Sequence, residues 1–143
     1  MKMLRQTAIA AGCLFASLPL ASTLQAQQSE STENAAAYIV SPQDGDTVSE
    51  TFTVVFGLNE MGVAPAGIEM AETGHHHLLV DKETMPALNQ PLGADVMHFG
   101  KGQTQVELTL EPGEHSLQLI LGDHLHIPHN PPVVSEKITV TVQ

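Results

Sequence analysis

From Tyr38 onward the apolar residues recur in twos. Phe52, Val54, Phe56 and Leu58 alternate with Thr51, Thr53, Val55 and Gly57, the period of a half-buried strand. Val106, Leu108 and Leu110 alternate in the same way, and so do Leu117, Leu119 and Leu121. With the turn residues Glu111-Pro112-Gly113-Glu114 between them, these two segments predict a hairpin. A last strand is expected over Val133–Val142, where Val134, Ile138, Val140 and Val142 stand against Lys137, Thr139 and Thr141. A short strand at Tyr38–Val40 precedes the turn cluster Ser41-Pro42-Gln43-Asp44-Gly45-Asp46, and His75–Asp81 reads as extended. No window sustains a 3.6-residue apolar period over three turns. The pattern predicts an all-β domain, an immunoglobulin-like antiparallel β-sandwich, with a small barrel as the alternative. Two irregular stretches, Asn59–Gly74 and Lys82–Gly102, are long for such a domain, and long ordered loops often carry function.

Residues 1–26 do not fit this pattern. Lys2 and Arg5 precede an apolar run from Ala8 to Leu18, and small residues lead to Leu24-Gln25-Ala26. That order predicts a secretory signal peptide cleaved after Ala26 and a periplasmic address. The run is shorter than the roughly 20 residues of a membrane-spanning helix. Ala10-Ala11-Gly12-Cys13 offers a weaker lipoprotein reading. Gln27–Ala37 is polar and is expected to be a flexible tether, leaving residues 38–143 as a single domain. Removal of the leader takes away Cys13, the single cysteine, and with it disulfide and thiolate chemistry. The remaining 16 acids face three lysines, Lys82, Lys101 and Lys137, a formal charge of −13. Such a surface repels nucleic acid and anionic headgroups and attracts cations.

Eight histidines stand out in a chain this poor in other basic groups. They occur as His75-His76-His77, His98, His115, and His124-x-His126-x-x-His129. Residues two apart on a strand share a face, so His75 and His77 are placed to bind one ion. His124 and His126, or His126 and His129, together with His98 and with Asp123 or Asp81 as an oxygen donor or orienting group, offer the remaining ligands. Imidazole suits copper, zinc and nickel, and Met97 beside His98 adds a soft sulfur. The competing reading gives the histidines to hydrogen bonds that tie loops down. By strand parity His115 goes with Leu117, Leu119 and Leu121, and His76 with Leu78 and Val80, so both are expected to be structural. For His75, His77, His126 and His129 both readings stay open. The chain shows no G-x-S-x-G elbow, no phosphate-binding glycine loop and no H-E-x-x-H, so nothing in it points to an enzyme.

Several motifs occur in order along the chain: Ser41-Pro42-x-Asp44-Gly45, Ala64-Pro65-Ala66-Gly67, Gly74-His75-x-His77-Leu78-Leu79-Val80-Asp81 and His98-Phe99-Gly100-Lys101-Gly102-Gln103-Thr104. Pro112-Gly113-x-His115-x-Leu117-x-Leu119 and Asp123-x-x-His126-x-Pro128-His129-x-Pro131-Pro132 follow. Together they resemble the bacterial exported family known as domain of unknown function 4399. The resemblance implies a compact periplasmic domain and brings no activity, ligand or catalytic residue with it. Matching its pattern favours His75, His77, His98, His126 and His129 over His76 and His124. Two functional expectations result. The first is a periplasmic binding domain holding copper, or next zinc, through His75, His77, His98, His126, His129 and Asp123. The second is a metal-free structural or adaptor domain of the cell envelope, with a protein partner and a hydrogen-bonded histidine network.

Overall fold

The computed structural model describes residues 27–143, and the expected leader, residues 1–26, lies outside them. Nine strands form in chain order: β1 (Ala36–Ser41), β2 (Thr47–Val48), β3 (Thr51–Asn59), β4 (Gly62–Val63), β5 (Thr73–Val80), β6 (Met97–His98), β7 (Gln105–Thr109), β8 (Gly113–Gly122) and β9 (Ile138–Val142). No helix occurs among the described residues. One sheet has the order β1-β3-β7, and the other runs β2-β9-β8-β5-β4 with β6 also paired to β5. Most pairings are antiparallel, whereas β2–β9 and β4–β5 are parallel.

The two sheets share one apolar core. Ala37, Val54, Phe56 and Leu108 from the smaller sheet meet Leu78, Leu117, Leu119, Leu121 and Val140 from the larger. Each of the fully buried leucines contributes on the order of 1.5–3 kcal/mol. Alternation along β3 places Val54 and Phe56 inside and leaves Thr51 and Thr53 exposed, as the period-two pattern predicts.

The expected hairpin does not form. β7 pairs with β3, and β8 pairs with β5 and β9, so the turn at 110–113 carries the chain from one sheet to the other. Leu108 and Leu117 then face the same core from opposite sides. The expected last strand begins later, at Ile138, with Val134 contributing only an isolated bridge to Ile120.

β5 is buried along nearly its whole length, on both faces. Its inner face supplies Leu78 to the shared core. On its outer face Leu79 joins Ile120 and Val96 in a second apolar cluster, packed by Leu88 and Leu92 of the long loop after β5. That loop therefore lies over the outside of the larger sheet.

The segment expected to be a tether is bonded to the body of the protein. Ala36 and Ala37 already belong to β1. Ahead of them, Glu30 forms a parallel bridge with Asn130, and Ser31 N donates to Asn130 O at 3.3 Å. A polar composition suggested a free chain, but these polar groups find backbone partners in the loop after β8.

Candidate metal centre

The site begins with the register of β5. Because side chains alternate along a strand, His75 and His77 project from the outer face of the larger sheet. His76, between them, turns inward against Phe56, with ring centroids 5.2 Å apart. β6 places His98 directly opposite His77, and Phe99 N, donating to His76 O at 3.1 Å, extends that pairing. His126 arrives from the loop after β8, in a left-handed backbone conformation with φ of 68°.

These four rings form one cluster. His75 lies 4.7 Å from His77, 5.0 Å from His98 and 5.0 Å from His126, centroid to centroid. His98 lies 4.6 Å from His126 and 5.2 Å from His77, and His77 and His126 are 6.0 Å apart. One nitrogen each from His75, His98 and His126 lies within 4.8 Å of the other two, so these three imidazoles can hold a metal ion. His77 touches the same rings and stands beside that triad as a fourth imidazole. In a tetrahedral zinc site with bonds of about 2.0–2.1 Å, ligand nitrogens sit roughly 3.3 Å apart. Exposed His98 and half-buried His126 are the members with room to close that gap.

Two glycines make space for the rings. A Cβ at Gly122 would lie 2.7 Å from His77 Cε1 and 3.2 Å from its Nδ1. A Cβ at Gly100 would collide with the His98 imidazole.

The electrostatics suit a ligand set. His75 and His77 are buried, and none of their four ring nitrogens has a hydrogen-bond partner. Burial lowers the His75 pKa to about 4, helped by the neighbouring His126 and His98 and opposed by Asp123. It lowers His77 to about 3, with His75, His98 and His126 adding to the effect. The backbone of His75 opposes this shift only weakly. His98 is lowered as well, by its partial burial and by His126. At neutral pH His75, His77 and His98 are therefore unprotonated, the form that ligates metals.

The other candidates are placed elsewhere. Asp123 is buried, and its carboxylate is occupied: Leu125 N and Ile127 N donate to Oδ1 at 2.8 and 3.0 Å, and Ser29 Oγ donates to Oδ2 at 2.8 Å. Burial alone would raise its pKa, but the Ser29, Ile127 and Leu125 hydrogen bonds and nearby His124 outweigh that and hold it below the ordinary carboxylate value. Asp123 is thus a loop organiser. His129 donates from Nε2 to Thr73 O at 3.1 Å and stands outside the four-ring cluster. Met97, next to His98 on a strand, points to the opposite face, so its sulfur does not join the imidazoles. His115 is bound through both nitrogens, to Asp81 Oδ2 at 2.7 Å and Glu111 O at 2.9 Å. His76 has no polar partner either, but its contact is with Phe56 and no second imidazole of the cluster reaches it.

Sequence reasoning missed Gly100, Gly122 and the N-terminal residues that bond Asp123. The glycines fall within His98-Phe99-Gly100 and Gly122-Asp123-His124, and only this proximity to histidine marked them.

The described residues thus form an all-β fold of two packed sheets with a histidine cluster able to hold a metal ion. The chain belongs to the family described as domain of unknown function DUF4399, whose pattern matches residues 54–143. No curated protein and no solved structure matches the chain.

Proposed function

We propose that this protein is a periplasmic metal-binding domain that holds one transition-metal ion, copper ahead of zinc, through His75, His77, His98 and His126. The observation that carries this reading is the pair of buried imidazoles, His75 and His77, with no hydrogen-bond partner at any ring nitrogen. An unpartnered buried polar group costs about 1–3 kcal/mol, and a bound ion would recover that cost at several atoms together. Four nitrogen donors without thiolate favour divalent copper, which stands above zinc in the usual order of affinity. The acidic chain, at −11 overall, attracts cations. The two facing sheets support reading the fold as an immunoglobulin-like sandwich, with the parallel pairings at its margins. A structural histidine network, the rival reading, requires hydrogen bonds that His75 and His77 do not make.

The test is calorimetric titration of the metal-stripped chain with Cu(II) and Zn(II), beside the variant carrying His75→Ala and His77→Ala. The expected result is near one ion per chain, copper tighter than zinc, and a rise in thermal midpoint that grows with free metal. In the double variant affinity falls by at least about 100-fold, beyond the range seen for supporting residues. Equal binding by both proteins, or none by either, overturns the assignment.

A further inference from the structure

His126 is the one member of the cluster that no strand places. Its backbone has φ of 68°, a region that costs a non-glycine residue free energy unless its surroundings enforce it. Three groups of contacts enforce it. Within the loop, His126 N donates to Asp123 O at 2.9 Å and Asp123 N donates to Ile127 O at 2.8 Å. The Asp123 carboxylate takes the amides of Leu125 and Ile127, one on each side of His126. From the loop after β5, Leu92 N donates to His126 O at 2.9 Å.

The N-terminal segment closes over this arrangement. Ser29 Oγ donates to the second Asp123 oxygen at 2.8 Å. Asn130 N donates to Ser29 O at 2.9 Å. The Gln28 side-chain amide donates to Leu88 O and, at 2.9 Å, to Pro128 O, so it joins the two loops that meet at His126. Gln28 and Ser29 reach Pro128 and Asp123 across 100 and 94 positions of sequence. Their contacts converge on one ligand of the proposed site.

We propose that Gln28, Ser29 and Asp123 form a clasp that positions His126 for metal ligation, so that the N-terminal segment is a working part of the metal site. The proposal rests on the metal-binding reading above. Asp123 and Ser29 are positioning residues: the Asp123 oxygens are occupied by protein donors, and neither residue belongs to the imidazole cluster. Because coupling between two events is reciprocal, bound metal also holds the clasp closed and slows exchange of the Asn130 and Ser31 amides.

The experiment measures Cu(II) affinity of the full chain by competition titration for wild type, Asp123→Ala, Asp123→Asn, the Gln28→Ala/Ser29→Ala pair, and each of these combined with His126→Ala. Supporting groups of metal ligands typically contribute roughly 10- to 100-fold in affinity. Asp123→Ala is expected to lose that much, and the Gln28/Ser29 pair about 10-fold, at the lower end of the same range. Asp123→Asn keeps an acceptor for both loop amides, and the Ser29 hydroxyl can reverse its role, so affinity stays within a few-fold of wild type. In the His126→Ala background the clasp substitutions add no further loss, an outcome that general destabilisation would not produce. Wild-type affinity in Asp123→Ala and in the Gln28/Ser29 pair, or losses that add in full to that of His126→Ala, overturns the clasp while leaving the metal site standing. An Asp123→Asn loss as large as that of Asp123→Ala also overturns it, since charge would then outweigh position. Absence of metal binding by wild type overturns both readings.

Discussion

His115 and the four clustered histidines stand near opposite ends of β8, and their ring nitrogens have opposite fates. Both nitrogens of His115 point at acceptors, the Asp81 carboxylate and the Glu111 carbonyl. Donation from both favours the imidazolium, and the Asp81 hydrogen bond raises the His115 pKa. Asp81 also takes the Ser116 amide at 2.8 Å, so this pair fastens the start of β8 to the end of β5. In the cluster, His75 and His77 are more deeply buried and have no partner at any nitrogen. Burial there favours the neutral ring. The same residue type is thus bound up as structure at one end and left with free lone pairs at the other. Ligand chemistry belongs to the second kind, provided that several such rings converge.

The largest way to disturb this contrast is to fill the space beside His77. Gly122→Ala puts a Cβ within van der Waals overlap of that ring, and overpacking of this kind costs about 1–3 kcal/mol. Unfolding in urea will show the loss, and Cu(II) affinity will fall with it because the ring is displaced. A smaller effect sharpens the role of convergence. His76 is as buried and unpartnered as His75 but lies against Phe56, on the inner face. His76→Leu, of similar volume, removes an unsatisfied polar group and is expected to stabilise the protein by about 1–2 kcal/mol, within the range for such groups. Metal affinity should not change. Loss of metal binding in His76→Leu would show that isolation on the inner face does not exclude a role.

A third disturbance is the dependence of stability on pH in the metal-free chain. His75, His76 and His77 have folded pKa values of about 4, 4 and 3 against an ordinary 6.5. Their contribution is complete above pH 6.5 and is lost as the pH falls from there towards 4 and 3, because the unfolded chain takes up protons that the folded one excludes. His115 has the opposite sign: its raised value gives a contribution that is complete below pH 6.5 and lost as the pH rises through the folded pKa. Urea midpoints of stripped protein should therefore decline on the acid side, with only a shallow decline on the alkaline side because the His115–Asp81 pair is partly exposed. A flat profile between pH 7 and 5 would mean that the clustered rings are not held neutral by burial.

Half of this was legible in the residues. Strand alternation is local, so the period-two pattern of Phe52 to Leu58 located β3, and His-x-His placed His75 and His77 on one face. The same alternation says nothing about which strand is the neighbour, and for that reason Val106–Leu110 and Leu117–Leu121 read as a hairpin although they enter different sheets. The pairing of His98 with His77 depends on the path of the whole loop after β5, which no short spacing encodes. Asp123 was visible as a polar residue among histidines. Its hold on the Leu125 and Ile127 amides is local, but its bond to Ser29 joins residues 94 positions apart in sequence. The polar segment before β1 looked free for the same reason: its partners are distant backbone groups.

The most direct test of the central claim, that unpartnered and convergent imidazoles form a metal site, is X-ray absorption at the metal edge of the copper- or zinc-loaded chain. Three or four imidazole nitrogens at about 2.0 Å, lost when His75 and His77 are replaced, is the predicted result. A shell dominated by oxygen, or an unchanged imidazole shell in that variant, would contradict it.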